Sequence, residues 1–267
     1  MYTTGFIGCG NMGSAIAVAV SKVIEPSQIL LANKTAAKAE ALASSIGCRT
    51  GNNETIAESC TYIFLGVKPH MMKDMLAPLR PILQKRTNPF VLVTMAAGLS
   101  ISDIQAFSGD SYPVIRITPN TPVSIGKGMI QACASPEVDD SSLKEFQNLM
   151  AACGRLDFLP ENLIDAASAL SGCGPAYVYL FIEALADGAV ECGLPRQKAL
   201  DYACQTLIGA ASLALESGKH PGELKDAVCS PGGTTIAGVH ALERNGFRNA
   251  AMDAVKAAYD KTKQLNK

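Results

Sequence analysis

The sequence carries almost no net charge, because its 267 residues include 23 basic and 24 acidic side chains. A net charge of -1 creates no long-range field that would draw a protein toward nucleic acid or anionic lipid. The chain also lacks a cluster of basic residues, the usual sign of a nucleic-acid binding surface. We therefore expect neither nucleic acid nor a membrane surface as a partner.

The sequence also lacks a metal-binding or disulfide pattern. Its nine cysteines are odd in number, scattered and never spaced as Cys-x-x-Cys, which argues against a disulfide framework and against a zinc site. The three histidines, His70, His220 and His240, are equally dispersed. We predict no metal site.

A secretory signal is missing as well, since residues 1–4 lead directly into a predicted strand without a basic stretch before an apolar run. The longest uncharged run, residues 166–182, is interrupted by Gly172, Gly174 and Pro175. It falls short of the roughly 20 apolar residues that span a bilayer, so we interpret it as a buried helix. These features predict a cytoplasmic protein without a membrane span.

The first 160 residues alternate short apolar runs with helical patterns. The predicted strands cover residues 5–8, 28–32, 62–67, 90–95, 114–117, 129–133 and 155–159. The predicted helices cover residues 12–23, 36–45, 70–83, 101–107 and 141–153. Apolar strands that lead into amphipathic helices are typical of a parallel sheet covered on both faces. We predict an α/β fold with a Rossmann-type doubly wound parallel sheet over residues 1–160.

Residues 161–267 show no strand pattern, only Ala- and Leu-rich helical stretches separated by Gly and Pro. The predicted helices cover residues 161–170, 176–192, 196–217, 221–228, 234–244 and 248–265. The helix predicted over residues 176–192 is apolar around much of its circumference. One copy of a domain of about a hundred residues cannot bury that much apolar surface. We predict an all-helical C-terminal dimerisation domain and a homo-oligomer, at least a dimer.

A glycine-rich motif, Gly8-Cys9-Gly10-Asn11-Met12-Gly13, lies between the first predicted strand and the first predicted helix. In such a unit the first glycine makes the tight turn, the second lets the backbone approach a pyrophosphate, and the third packs the helix on the strand. The phosphates lie against free amides at the positive end of the helix dipole. The motif predicts a dinucleotide site, and the alternative is a tight turn without a ligand.

The residues after the second predicted strand are Asn33-Lys34-Thr35, where an NAD site usually has an acidic side chain. A carboxylate would repel a 2′-phosphate, whereas Asn33 and Thr35 offer hydrogen bonds and Lys34 a positive charge. This favours NADPH, with NADH use left open. The alternative is that Asn33 caps a helix and Lys34 is solvated.

Two further strand ends point to the same crevice, because ligands of open α/β sheets bind at the carboxyl ends of strands. Gly66-Val67-Lys68-Pro69 ends one predicted strand with a sharp break, and Met95-Ala96-Ala97-Gly98 ends the next with small residues. Small residues at these ends leave room for the ribose and nicotinamide of a cofactor. Alternatively, Lys68 is an exposed lysine in a turn that binds no ligand.

The helical half contains one candidate substrate site, the segment Ser230-Pro231-Gly232-Gly233-Thr234-Thr235 before a predicted helix. Free amides at a helix N-terminus form an anion site, and Thr234 and Thr235 add hydroxyls beside it. A small carboxylate would fit there. The alternative is a helix cap with glycine turns.

Several stretches together resemble one known family over essentially the whole chain. They are residues 5–13, 67–69, 96–98, 116–122, 170–176, 184–188 and, as the most specific element, 230–243. The sequence in these stretches resembles the pyrroline-5-carboxylate reductase family. The resemblance implies a Rossmann domain followed by a helical domain through which two subunits interlock. It implies NADPH-dependent reduction of the carbon–nitrogen double bond of 1-pyrroline-5-carboxylate to L-proline, the last step of proline biosynthesis.

The same resemblance implies site residues at matching positions of this chain. The implied cofactor residues are Ile7, Gly8, Cys9, Gly10, Asn11, Met12, Gly13, Asn33, Lys34, Thr35, Asn52, Val67, Lys68, Pro69, Met95, Ala96 and Ala97. The implied substrate residues are Glu161, Gly233, Thr234 and Thr235. The chain departs from the family pattern at Cys173, where a serine is usual, and at Thr234, where alanine is common.

Hydride transfer to an imine depends on close placement more than on a strong acid. We expect amides near Gly233 and Thr234 to hold the carboxylate of the cyclic imino acid. Thr235 is the expected catalytic residue, with its hydroxyl hydrogen-bonded to the ring nitrogen, and Glu161 would favour the iminium electrostatically.

Two other functions stay open at this point. A β-hydroxyacid dehydrogenase-like NADP oxidoreductase would share the glycine motif, but residues 172–178 lack the catalytic lysine of those enzymes. A nonenzymatic NADP-sensing module is the second alternative, and the retained substrate residues argue against it.

Overall fold

The computed structural model describes residues 2–265, which form eight strands and thirteen α-helices. The strands are β1 (Tyr2–Ile7), β2 (Ile29–Ala32), β3 (Arg49–Thr50), β4 (Cys60–Leu65), β5 (Val91–Thr94), β6 (Val114–Thr118), β7 (Gly128–Ala134) and β8 (Gly154–Phe158). The first eight helices are α1 (Asn11–Val20), α2 (Ala36–Ile46), α3 (Asn53–Ser59), α4 (Met72–Leu76), α5 (Arg80–Lys85), α6 (Ile101–Ser108), α7 (Asp140–Leu149) and α8 (Glu161–Ser171). The remaining helices are α9 (Gly174–Glu191), α10 (Arg196–Ser217), α11 (Pro221–Val228), α12 (Thr234–Arg244) and α13 (Phe247–Leu265).

The backbone contacts divide the chain into two compact units. The first comprises Met1–Cys173 and Ala258–Lys267, and the second comprises Gly174–Ala257. Helix α8 therefore belongs to the first unit, although its sequence pattern resembles the helices that follow. The domain boundary after residue 160 stays a prediction.

The first unit is built on one sheet with the strand order β3-β2-β1-β4-β5-β6-β7-β8. All neighbouring strands are parallel except β6 and β7, which are antiparallel. The chain leaves β1 toward β2 on one side and returns to β4 on the other, which makes the carboxyl ends of β1 and β4 the switch point of the sheet. The predicted doubly wound α/β fold is confirmed.

Both faces of the sheet are buried, as the unbroken apolar strands predict. Phe6 and Phe64 lie side by side on β1 and β4 and stack with ring centroids 4.6 Å apart on one face. Ile7 and Leu65, one residue further along the same strands, belong to the core on the other face. Successive residues of a strand point to opposite faces, so this alternation fixes the register of β1 against β4.

Two parts of the predicted secondary structure differ from the structure. The single helix predicted over residues 70–83 is interrupted, because Pro78 and Pro81 lack the amide hydrogen that a continuous helix needs. The elements β3 and α3 were not predicted. Both residues of β3 are exposed, and a strand of two exposed residues leaves no apolar pattern in the sequence.

A buried ion pair joins β6 to α8 in the first unit. Arg116 of β6 is 4% exposed, and its Nη2 lies 2.7 Å from Oδ1 of Asp165 on α8. The other oxygen of Asp165, Oδ2, accepts a hydrogen bond of 3.2 Å from Nζ of Lys263 near the end of α13. Burial raises the pKa of Asp165, but hydrogen bonds from Lys263 and Arg116 and their positive charges lower it by more, so the net pKa lies below the ordinary value.

The pKa shift of Asp165 predicts how the stability of the protein depends on pH. A carboxyl group whose pKa is lower in the folded state stabilises the fold above its unfolded pKa of about 3.9, and loses that contribution as the pH falls through the folded pKa. The variant Lys263→Met should therefore unfold at lower urea concentration than the wild type at pH 7. The difference should shrink below about pH 4, because the protonated carboxyl group gains little from Lys263.

Urea denaturation at pH 7 and pH 3.5 measures this effect, and Lys261→Met is the control. Lys261 is an exposed lysine two residues earlier on the same helix, whereas the lowered pKa of Asp165 comes from Lys263 and Arg116. If Lys263→Met lost the same amount of stability at both pH values, this would contradict the assigned interaction between Lys263 and ionised Asp165.

The second unit contains α9 to α12 and the first part of α13, as the helical pattern predicts. Its helices expose large apolar side chains, among them Leu180 at 67%, Leu215 at 75% and Met252 at 63%. Ala186 is the one buried residue among the described residues of α9. The interpretation of residues 166–182 as a buried helix is therefore wrong for a single chain, since much of this apolar surface lies open.

The segment Glu161–Glu191, which contains α8 and α9, is long and apolar enough to cross a membrane by length and composition, with 11% of its most apolar part buried. An apolar helix that lies in a subunit interface meets the same criterion. The segment that meets the length and composition test for a membrane span thus contains α9, whose apolar surface is predicted from the sequence to bind a second copy of the chain.

Candidate functional site

The glycine motif forms the turn between β1 and α1. Gly8 has φ +103°, in the left-handed region that favours glycine, and a Cβ atom there would lie 2.6 Å from the carbonyl oxygen of Gly66. Gly13 lies inside α1, where a Cβ atom would lie 2.4 Å from the carbonyl oxygen of Gly8. These two glycines are required by backbone conformation and by the close packing of α1 against the turn, as their places in the motif predict.

Gly10 differs from both, because a Cβ atom at this position would have no neighbour within 4 Å. It is the N-cap of α1, no side chain caps the helix there, and the first turn has no acidic residue. The first amides of α1 are therefore available to an anion, and the space above Gly10 is open for it. The residues fit a pyrophosphate at this end of α1.

One cleft of about 490 Å³ joins this turn to the ends of β4 and β5. Its lining residues are Gly10, Asn11, Met12, Gly13, Gly66, Val67, Lys68, Pro69, Met95, Ala96 and Ala97. Ten of these eleven residues are among those predicted to bind the cofactor, and the structure brings together stretches far apart in the sequence. The cleft lies at the switch point of the sheet, where such folds bind their ligands.

Gly66 is the one residue of this lining outside the predicted cofactor residues, although its strand end was predicted to face the crevice. A Cβ atom there would lie 2.4 Å from the carbonyl oxygen of Gly8, so the turn after β4 and the turn after β1 need glycine opposite each other. The sequence shows that a glycine follows β4, but it does not show that Gly66 contacts Gly8, which lies 58 positions earlier.

Cys9 lies within the glycine turn and is 4% exposed. Its thiol donates a weak hydrogen bond of 3.6 Å to the carbonyl oxygen of Ala32. Burial, with a smaller effect from Cys48, raises the pKa of Cys9 to about 11. The thiol is thus protonated at neutral pH and is unsuited to act as a nucleophile.

Asn33 connects the glycine turn to the loop after β2. Its Oδ1 accepts a 3.0 Å hydrogen bond from the amide of Cys9, and its Nδ2 donates a 3.0 Å hydrogen bond to the carbonyl oxygen of Thr35. The helix-cap alternative for Asn33 is wrong, because the N-cap of α2 is Thr35. Lys34 and Thr35 are exposed beside it.

Asn52 is the N-cap of α3, where its Oδ1 accepts a 2.8 Å hydrogen bond from the amide of Thr55. It follows β3 as Asn33 follows β2, and these two strands are parallel neighbours. Asn33, Lys34, Thr35 and Asn52 therefore lie at the carboxyl ends of β2 and β3, outside the cleft but at the same edge of the sheet.

The predicted substrate residues of the helical half lie at the beginning of α12. Gly233 is the N-cap of this helix, and no side chain caps it. A Cβ atom at Gly233 would lie 2.4 Å from Oγ of Ser230, so a larger residue here would force the Ser230 side chain to move. Thr234 and Thr235 occupy the first turn and are exposed, with free backbone amides beside their hydroxyls.

Glu161, the remaining predicted substrate residue, begins α8 in the first unit. Its Oε1 accepts a 2.8 Å hydrogen bond from the amide of Ile101 and lies 3.2 Å from Nη1 of Arg116. The sequence analysis did not single out Arg116 as a partner, because the two residues are 45 positions apart.

Comparison with protein families adds two matches. The family model described as pyrroline-5-carboxylate reductase dimerisation matches residues 161–265, and the model described as NADP oxidoreductase, coenzyme F420-dependent, matches residues 3–98. The first covers the helices with exposed apolar surface, and the second covers the glycine turn, the β4 end and the β5 end.

Comparison with individual proteins gives matches over the full length. The pyrroline-5-carboxylate reductase of Pisum sativum is 41% identical over 99% of this chain and 96% of its own. The solved structure of a pyrroline-5-carboxylate reductase from Coxiella burnetii is 32% identical, with a TM-score of 0.90 over 100% of this chain and 99% of the other. The Plasmodium falciparum pyrroline carboxylate reductase, solved with NADP bound, is 31% identical, with a TM-score of 0.88 over 100% and 98%.

Proposed function

The chain belongs to the pyrroline-5-carboxylate reductase family, and we propose that it reduces 1-pyrroline-5-carboxylate to L-proline with NADPH, the last step of proline biosynthesis. The protein is an oxidoreductase with a nicotinamide cofactor. The observation that carries the proposal is the cleft at the switch point, whose lining combines the open Gly10 turn with small residues at the β5 end.

NADPH, when bound, supplies the hydride that reduces the imine carbon. The glycine turn and the first amides of α1 hold the pyrophosphate, and Met95, Ala96 and Ala97 leave room for the nicotinamide ring. In the substrate site, the free amides of the first turn of α12, at Thr234 and Thr235, hold the carboxylate beside Gly233, whose own amide donates to the carbonyl oxygen of Ser230. The Thr235 hydroxyl accepts a hydrogen bond from the protonated ring nitrogen and so orients the imine.

An absorbance assay of NADPH oxidation with the cyclic imine tests this function directly. We expect turnover with 1-pyrroline-5-carboxylate and none with β-hydroxyacids and NADP, since residues 172–178 contain no lysine. Tight NADPH binding without turnover of the imine would instead favour the nonenzymatic NADP-sensing alternative. Turnover of β-hydroxyacids would favour the dehydrogenase-like alternative.

The preference for NADPH over NADH rests on Lys34 and Thr35. The side chain of Asn33 is engaged by Cys9 and Thr35, so Lys34 is the exposed cation available to a 2′-phosphate at the end of β2. The positive charge of Lys34 would attract the 2′-phosphate of NADPH, whereas NADH has no phosphate at this position.

The variant Lys34→Glu should raise the KM for NADPH roughly 10- to 100-fold, because a charge-assisted hydrogen bond contributes about 1.5–3 kcal/mol. The KM for NADH should change by less than about twofold. Steady-state kinetics with each cofactor measure the effect, and Lys38→Glu is the matched control, an exposed lysine one turn further along α2. Equal changes in both KM values for Lys34→Glu would contradict the proposed phosphate contact.

We also propose that the protein is cytoplasmic and associates at least as a dimer through its helical half. The exposed apolar side chains of α9, α10 and α13 support this association, because an open apolar surface of this extent is typical of a subunit interface. Light scattering of the purified protein would give the mass of the assembly, and a mass of 27.9 kDa, that of one chain, would contradict the proposal.

A further inference from the structure

One wall of the cofactor cleft is a short loop that connects β5 to α6. Met95, Ala96 and Ala97 of this loop line the cleft, and α6 begins at Ile101. The β5 end of the loop is fixed by Thr94, which is fully buried and whose Oγ1 accepts a 3.3 Å hydrogen bond from the amide of Ala96. The position of the wall then depends on what holds the α6 end.

Three side chains hold the α6 end of the loop. Ser100 forms a capping box with Asp103, and the amide of Ile101 donates a 2.8 Å hydrogen bond to Oε1 of Glu161. Glu161 comes from α8, 60 positions later in the chain, so this contact attaches the loop to a separate element. A carboxylate at a helix N-terminus is stabilised by the helix dipole and by the free amides there.

Arg116 links the two ends of the loop. On β6 it is the direct cross-strand neighbour of Thr94, the last residue of β5. Its guanidinium lies 3.2 Å from Oε1 of Glu161 through Nη1 and 2.7 Å from Oδ1 of Asp165 through Nη2. The same residue thus neighbours the beginning of the loop through its backbone and orients the carboxylate that holds the end of the loop.

We propose that Glu161, oriented by Arg116, is a positioning residue for NADPH: it fixes the loop of residues 95–100 and so sets the nicotinamide side of the cleft. This inference rests on the proposed cofactor site. It adds to Glu161 an effect on NADPH affinity beside the substrate contact that the family resemblance implies. Without the contact with Ile101, the α6 end of the loop is held by the capping box of Ser100 and Asp103 alone. The loop is then less ordered before NADPH binds, and the cost of ordering it opposes binding.

Titration of each purified variant with NADPH, without the imine and well below the unfolding temperature, tests this inference. Glu161→Ala should raise the Kd for NADPH about tenfold, within the range by which residues without ligand contact change affinity. Glu161→Asp keeps the charge but shortens the side chain, and should weaken binding to a similar extent. Glu161→Gln keeps an oxygen acceptor for the Ile101 amide and should stay within about threefold of the wild type.

Asp165→Asn is the matched control, because it alters the other ion pair of Arg116 and leaves the hydrogen bond between Glu161 and Ile101 in place. We expect this variant to lose stability and to keep the wild-type Kd. An equal loss of affinity in Asp165→Asn and Glu161→Ala would overturn the inference, since it would show a general effect of stability.

An unchanged Kd for NADPH in Glu161→Asp or Glu161→Ala would also overturn the inference. If the KM for the imine rises while the Kd for NADPH stays the same, Glu161 is a substrate residue instead. The titration contains no imine, so its result is independent of whether the proposed reaction occurs.

Discussion

The variant Gly10→Val should bind NADPH about a hundredfold more weakly than the wild type while it remains folded. The physical reason is the open space at this position, where an added Cβ atom meets no neighbouring atom within 4 Å, so the valine side chain would occupy the proposed place of the pyrophosphate. Loss of two charge-assisted hydrogen bonds from the α1 amides accounts for an effect of roughly this size. Calorimetric titration with NADPH measures the change.

The unfolding temperature of Gly10→Val should stay within about 3 °C of the wild type, because the φ of -75° and ψ of -175° at Gly10 are accessible to any residue. Gly13→Ala provides the contrast. Its Cβ atom would lie 2.4 Å from a backbone carbonyl oxygen, and we expect a loss of about 1–3 kcal/mol in stability. Wild-type affinity in a folded Gly10→Val protein would exclude this turn as the pyrophosphate site.

The variant Thr235→Ala should lower kcat about 10- to 100-fold and leave the Kd for NADPH unchanged. A hydrogen bond to a charged group contributes about 1.5–3 kcal/mol, which corresponds to this change in rate if the bond orients the iminium in the transition state. Thr235 is exposed in the first turn of α12 and takes no part in capping that helix, so its removal should not affect the fold. Steady-state kinetics with saturating NADPH measure the loss.

Two neighbouring changes control this experiment. Thr235→Ser keeps the hydroxyl and should retain most of the rate, whereas Thr234→Ala removes an equally exposed hydroxyl from the same turn and should act mainly on the KM for the imine. A rate in Thr235→Ala equal to that of the wild type would remove Thr235 from the mechanism. Equal losses in Thr234→Ala and Thr235→Ala would assign the effect to the turn as a whole.

The glycines of the cofactor turn show which features of the site can be predicted from the sequence and which cannot. The spacing of Gly8, Gly10 and Gly13 after an apolar strand predicts a dinucleotide turn, because strand, turn and helix are adjacent in the chain and their conformations are local. The need for Gly66 opposite Gly8 is a contact between two turns far apart in the sequence. No local pattern reports such a contact, and the sequence analysis therefore missed it.

The side chains of Asn33 and Glu161 make the same point for the site. Asn33 was assigned to a ligand from its place after a strand and Glu161 from the family resemblance, but each is also bonded to a protein backbone amide, Asn33 to Cys9 and Glu161 to Ile101. Which of several possible partners a polar side chain takes depends on which elements lie beside it. The prediction of a site residue from its type thus leaves the partner of that residue undetermined.

By itself the sequence determined the parallel sheet, the helical second half and the glycine turn, because the periods of apolar residues and the places of glycine act over a few neighbouring residues. The tertiary structure alone decided which strand ends form one cleft, which turns need glycine opposite each other, and that Glu161 bonds both Arg116 and the amide of Ile101. These features arise from contacts between residues 45 to 60 positions apart, as in the bonds of Glu161 to Arg116 and Ile101. Such contacts form only when the sheet order brings distant strands together.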